Sequence, residues 1–183
     1  MRRRLAAAVI VWIAASSAGV AQAWEEDFMS PTVTSSAFQS GGPIPPVHTC
    51  EGKDLSPPLS WTDPPDATKS FALISDDPDA PMGTWVHWVV YNLPPVTRQL
   101  PEAFPTDAQL KDGTRQGTTD FGRTGYGGPC PPSGTHRYFF KLYALDALLD
   151  LKPGSTKAQL EAAMQGHILA HAELMGTYTR KGR

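Results

Sequence analysis

The sequence predicts a mainly β, sandwich-type fold. Three apolar runs carry that expectation: Ser70 to Ser75 (SFALIS), Trp85 to Tyr91 (WVHWVVY) and Tyr138 to Leu145 (YFFKLYAL). They are short, rich in β-branched and aromatic residues, and separated by proline turns, which suits strands better than a helical or doubly wound fold. The 18 prolines and 16 glycines among 183 residues also break the chain into short elements.

In chain order, residues 1–23 stand apart from the fold. Arg2, Arg3 and Arg4 form a basic stretch, residues 5–20 are apolar or small, and Ala21-Gln22-Ala23 is an A-x-A cleavage pattern. This reads as a secretory signal peptide with Trp24 opening one mature domain over 24–183. The competing reading is an uncleaved membrane anchor, for which the apolar run is short. The mature protein is therefore expected to be periplasmic or secreted, with no stable membrane insertion.

Removing the signal removes three arginines and takes the formal net charge from −2 to −5. A mildly acidic chain without a basic stripe argues against nucleic acid as a partner and against electrostatic docking on an anionic membrane. Cys50 and Cys130 are candidates for one disulfide in an oxidising compartment. The alternative is a Cys130 thiol at the rim of a pocket.

Within the mature chain, Thr32–Ser35 is expected to open a strand. Ser56–Trp61 contains adjacent prolines, which a helix interior does not accommodate, and reads as an edge strand. In the run 85–91, strict alternation puts Val86, Trp88 and Val90 on one face and Trp85, His87, Val89 and Tyr91 on the other. Residues 101–135 read as a long connector rich in Gly and Pro, of a kind that is functional or mobile. Toward the C-terminus, Ser155 or Thr156 caps a helix. Leu160, Ala163, Met164, His167, Leu174 and Met175 continue an apolar face at helical spacing, so two short helices are expected, broken near Gly166 and Gly176.

The chemistry concentrates in two stretches. In DDPDAP (76–81), Pro78 and Pro81 fix φ, and Ala80-Pro81 is a candidate cis bond. Asp76 reads as a turn former; Asp77 and Asp79 read equally as turn formers or as site residues. A lone mid-strand histidine such as His87 is more often a core residue than a ligand-binding one, but His136 opens another strand. If the two strands are neighbours, Asp77, Asp79, His87, His136 and Tyr138 converge on a pocket able to hold a small anion. A carboxylate beside an imidazole fixes its tautomer and favours its charged form. The stretch GGPCPPSG (127–134) forms a stiff opposite wall, whose glycines let backbone N–H groups approach a ligand.

Two other chemistries fit less well. Hydrolysis or proton transfer would need a nucleophile such as Cys130 or Tyr138, yet there is no G-x-S-x-G elbow. His87, His136 and Asp77 would make a zinc set, and His167 and His171 are spaced i, i+4, but no close-spaced metal-ligand motif supports either. No metal and no cofactor are expected.

The stretches DPDAP (77–81), HWVVYNLP (87–94), GYGGPCPPSGTHRY (125–138) and YALD (143–146) resemble the phosphatidylethanolamine-binding protein family, and its bacterial Raf-kinase-inhibitor-like branch most closely. CEGKDLSPPLSW (50–61) and GHILAHAELMGTYTR (166–180) resemble it as well. Thr119 in TTDFG departs from the asparagine expected there. The resemblance implies a Greek-key β-sandwich, a large central sheet on a smaller one, with short C-terminal helices. It also implies a non-enzymatic binding protein with a small pocket for phosphate-like anions or phospholipid head groups such as phosphoethanolamine. Asp77, His87, His136 and Tyr138 would form that pocket, and Asp79, Trp85, Gly128, Pro131 and Pro132 would shape it. Arg137 would be structural, paired with a carboxylate behind the pocket. An exported protein of this kind would modulate an extracytoplasmic hydrolase or protease rather than a cytosolic kinase.

Overall fold

In the computed structural model, residues 31–181 are described; the expected signal peptide lies outside them. Two sheets form. The smaller has the order β1-β2-β5, with β1 at Val33–Thr34, β2 at Leu59–Trp61 and β5 at Gln99–Leu100. The larger has the order β8-β6-β4-β3-β7-β9. Its strands are β3 (Ser70–Asp77), β4 (Trp85–Leu93), β6 (Arg115–Thr118), β7 (Thr135–Leu145), β8 (Gly154–Thr156) and β9 (Ile168–Thr179). All pairings are antiparallel except β6 with β8.

The core has two parts. One lies between the sheets, where Val33, Leu59, Trp61 and Leu100 of the small sheet meet Phe71, Leu73, Trp88, Val90, Phe140 and Leu142 of the large one. The other lies on the opposite face of the large sheet, where Ile74, Val89 and Tyr91 pack under Leu160 and Met164 of helix α1 (Lys157–Met164). Strand β3 is thus covered on both faces and buried at every position, which explains its unbroken apolar run rather than an alternating one.

Several expectations change. Only one helix follows residue 155 among the described residues. Thr156 caps it through a capping box with Gln159, as the sequence suggests. The second expected helix, carrying Leu174 and Met175, is instead β9, paired with β7 from Thr135↔Thr179 to Leu145↔Ile168. A free sheet edge along β7 overrides the helix propensity of Ala, Leu, Glu and Met. His167 and His171 therefore share no helix face: His167 bonds Asp146, and His171 lies on β9 against Tyr143.

Strand β2 is the centre of the small sheet rather than an edge. Its prolines, Pro57 and Pro58, precede the paired residues, so no ladder N–H is lost. The connector 101–135 contributes β5's successor β6 to the large sheet. No peptide bond among the described residues is cis, Ala80-Pro81 included.

Alternation within residues 85–91 also fails at one point, apart from a second register shift between Val90 and Leu93. Ser75 faces Trp88 and Asp76 faces Val86, so His87 is an extra residue on that strand. This bulge moves Val86 into the cluster under α1, while Trp88 and Val90 stay between the sheets. It also re-aims His87, as bulges do beside binding sites.

Candidate functional site

The strands bearing the two sequence motifs, β4 and β7, are not neighbours; β3 lies between them. Because both pair antiparallel with β3, the end of β3 at Asp77 meets the start of β4 and the start of β7 at one end of the sheet. A pocket of about 330 Å³ opens there. Its polar lining comes from Asp77, His87 and His136, and its apolar lining includes Trp85, Phe121 and Pro131.

Asp77 is buried. One carboxylate oxygen accepts the backbone N–H of Asp79 at 2.8 Å, which closes the turn after β3. The other accepts Nδ1–H of His136 at 2.7 Å. A carboxylate can only accept here, so the His136 proton sits on Nδ1 and leaves Nε2 as the ring's other polar atom.

His87 is held differently. Its Nδ1 donates to the Gly127 carbonyl at 2.6 Å, again leaving Nε2 unused. Its ring meets Phe121 and Tyr138 edge to face, at 5.3 and 5.1 Å. Burial pushes the His87 pKa down, against a smaller upward pull from the Gly127 carbonyl and Asp77, so the ring is neutral near pH 7 and Nε2 offers a lone pair.

Trp85 and Phe121 stand 5.6 Å apart at 78° and form an aromatic corner. Phe121 is not singled out by the sequence reading. It sits on an exposed turn in which Thr119 N–H and Oγ1–H both donate to the Arg123 carbonyl. Thr119, the departure from the family pattern, thus closes that turn itself. Asp120 ties the turn to β4 by accepting Val86 N–H at 2.7 Å. The signal for Phe121 was available: a single large aromatic between Asp120 and Gly122 in an otherwise polar loop.

The opposite wall is Cys130, Pro131 and Pro132. Cys130 lines the pocket and is bonded to Cys50, with Cα atoms 5.4 Å apart, so it offers no free thiol at the rim. Gly128 does not face the pocket with its N–H, which donates to Asp54 at 2.6 Å. Asp54 in turn accepts from Arg123 at 3.2 Å, so this carboxylate joins the Phe121 turn to the glycine wall.

Asp79 and Tyr138 lie behind the lining. Asp79 is the carboxylate that pairs with Arg137: it accepts from Nη2 at 2.7 Å, from Nε at 2.9 Å and from the Arg137 backbone N–H at 2.9 Å. The guanidinium holds the Asp79 pKa down to about 2. Tyr138 supports the His87 ring, and its hydroxyl is buried without a hydrogen-bond partner. Burial and the nearby Asp77 charge push its pKa well up.

Asp76 is the site's hidden neighbour. Read as a turn former, it is instead a fully buried residue at the end of β3. Lys141 and Lys157 both reach it, at 2.8 and 3.0 Å, on the side of the sheet covered by α1.

No group of three His, Cys, Asp or Glu side chains suited to a metal ion occurs among the described residues. Nor is any helix there long and apolar enough to cross a membrane.

The description "phosphatidylethanolamine-binding protein" belongs to the family profile that matches residues 34–179. A UPF0098 protein of Methanothermobacter thermautotrophicus is 54% identical over 144 residues, which is 79% of this chain and 95% of the relative. A crystal structure of a phosphatidylethanolamine-binding protein homologue, CT736 of Chlamydia trachomatis, superposes with a TM-score of 0.76 at 48% identity. It covers 83% of this chain and 99% of the other. YbcL of E. coli, described as a new member of the mammalian family, gives 0.74 at 35% identity with the same coverage. Fold and sequence agree over nearly all of the described residues: the chain belongs to the phosphatidylethanolamine-binding protein family.

Proposed function

We propose that this is an exported, non-catalytic binding protein whose pocket takes a phosphate-like anion, such as the phosphoethanolamine head group of a phospholipid. The observation that carries the proposal is the pairing of two imidazoles, His87 and His136, in one preformed pocket with both Nδ1 atoms already committed. Each ring then has only Nε2 for a ligand. A phosphomonoester, whose second pKa lies near 6, can donate its O–H to the lone pair on the neutral His87 Nε2. The Asp77 charge is absorbed by His136 and by the Asp79 N–H, which lessens its repulsion of an anion.

A volume of about 330 Å³ lies at the small end of ligand pockets and suits a head group rather than acyl chains. The non-catalytic reading draws on two further facts. Cys130 is held as a disulfide and has no thiolate to attack with. Tyr138 is pushed away from ionisation. The disulfide also favours an oxidising compartment, periplasmic or secreted, in keeping with the A-x-A pattern at residues 21–23. The ligand-bearing surface would then act on an extracytoplasmic hydrolase or protease.

The test is an NMR titration of residues 24–183 with phosphate and with phosphoethanolamine, repeated on His87→Ala. Shifts clustered at Asp77, His87, Phe121 and His136, and lost in the variant, are expected. Absence of shifts at millimolar ligand would sink the head-group reading.

A further inference from the structure

The pocket wall at Cys130–Pro132 is held in an unusual way. Hydrogen bonds secure the chain up to Pro129: Gly127 N–H donates to the His87 carbonyl, Gly128 N–H to Asp54, and Cys50 N–H to the Pro129 carbonyl. They resume at Thr135, where β7 pairs with Thr179. Among the described residues, the network skips the stretch 130–134 between these two points. What remains to hold it is the packing of Pro131, which is buried, and the bond from Cys130 to Cys50.

Cys50 itself does not line the pocket. It lies in the segment after the 3-10 turn Pro46–His48, which is anchored separately. Tyr126 Oη–H donates to the His48 carbonyl at 2.9 Å and Thr49 N–H to the Pro46 carbonyl at 3.0 Å. The bridge therefore fastens an otherwise unbonded wall to an independently fixed segment. It is also reachable from solvent, since Cys50 is exposed and Cys130 half-exposed.

We infer that the Cys50–Cys130 bridge is a positioning latch for the ligand pocket, and that a dithiol reductant switches the pocket to a loose, weak-binding form. The inference rests on the head-group reading above. In the switching step the dithiol is oxidised to its own disulfide, the Cys50–Cys130 S–S bond breaks, and the two dithiol hydrogens end on the two Sγ atoms. The core between the sheets and the core under α1 contain neither cysteine, so both persist. Only the wall gains freedom, and the ligand must then order it on binding, which weakens affinity.

Phosphoethanolamine binding is measured by NMR on the oxidised chain, on the chain reduced with excess dithiothreitol, and on the Cys50→Ser/Cys130→Ser double variant. Leu160→Ala, in the core under α1, serves as a control that lowers stability without touching the wall. The latch predicts that reduction and the double variant each weaken binding by roughly tenfold or more, reversibly on reoxidation. The amides of Cys130, Ser133 and Gly134 should gain fast motion, and Leu160→Ala should keep its affinity.

Equal affinity in oxidised and reduced chains would overturn the latch. So would a parallel loss in Leu160→Ala, which would make affinity follow stability. A reduced chain that loses its core amide signals altogether would make the bridge a staple of the whole fold. If the oxidised chain binds nothing, the head-group reading fails on its own. The relaxation of residues 130–134 then decides the latch, which is refuted if reduction leaves those amides rigid.

Discussion

Two adjacent glycines should respond very differently to the same methyl group. Neither Gly127 nor Gly128 sits at positive φ, so backbone strain does not distinguish them and the neighbours decide. A Cβ on Gly128 would lie 2.3 Å from the His48 carbonyl oxygen, 2.6 Å from Asp54 Oδ1 and 2.8 Å from Thr49 Cα. Two of these are backbone atoms of a segment anchored by Tyr126, so they cannot turn aside. Relief requires a backbone shift, and the Gly128 bond to Asp54 goes with it. Overpacking costs ~1–3 kcal/mol and a lost bond to a charged group ~1.5–3 kcal/mol; since one shift relieves both, Gly128→Ala should lose about 3 kcal/mol. The atoms nearest a Cβ on Gly127 belong to the Phe121 ring, at 2.4 and 2.5 Å. That ring is 40% exposed and can swing outward, so Gly127→Ala should cost under about 1 kcal/mol while removing one wall of the aromatic corner. Urea denaturation monitored by tryptophan fluorescence gives both values. In thermal melts, Gly128→Ala should fall by about 6–12 °C for a domain of this size. Equal losses, or a larger one for Gly127→Ala, would refute the contact argument. It would mean that the wall around Gly128 yields or that Phe121 is not free to move.

The remaining predictions concern charge. The folded-state pKa of His87 lies below its unfolded value of about 6.5. The neutral ring is the one the fold favours, so this group's contribution is fully present above pH 6.5 and is lost as pH falls below it. Denaturation from pH 8 to 5 should therefore show a stability decline that is shallower in His87→Gln, and identical slopes would remove His87 as its source. Asp79 works in a more acidic window: its pKa is depressed to about 2 from 3.8, so its contribution is present above 3.8 and disappears as pH falls toward 2. Arg137→Ala should flatten the acid limb over that window, which acid titration of the unfolding midpoint would check. Asp76→Asn should destabilise by about 2 kcal/mol, because it leaves Lys141 and Lys157 without their buried counter-charge, softened by both ammonium groups' reach to water. A variant as stable as the parent would show that the lysines need no carboxylate.

Which parts of this protein were legible in its sequence follows from the range of the interactions involved. The strands 70–75, 85–91 and 138–145 were legible because burial imprints local composition, and the helix cap at Thr156 because a capping box spans only four residues. Strand β9 was not, because nothing local distinguishes Ile168–Thr179 from a helix. What selects the strand is the unpaired edge of β7, whose residues lie 23 to 44 positions earlier in the chain than their partners.

The site divides along the same line. Asp77, His87 and His136 could be nominated from residue type and turn chemistry, but their convergence required β3 to lie between the two motif strands and a bulge to turn His87. Asp76, read as a turn former, and Gly128, read as part of a ligand cradle, are both bonded to residues far along the chain. Lys141 is 65 residues from Asp76 and Asp54 is 74 from Gly128, so a loop that looked like a ligand cradle was already bonded to its own chain. That spent hydrogen bonding is also why the wall beyond Pro129 depends on Cys50. Where the Gly127 and Gly128 N–H groups and the Pro129 carbonyl are used to fix residues 127–129, residues 130–132 reach the pocket with a covalent bond in place of a hydrogen-bonded one.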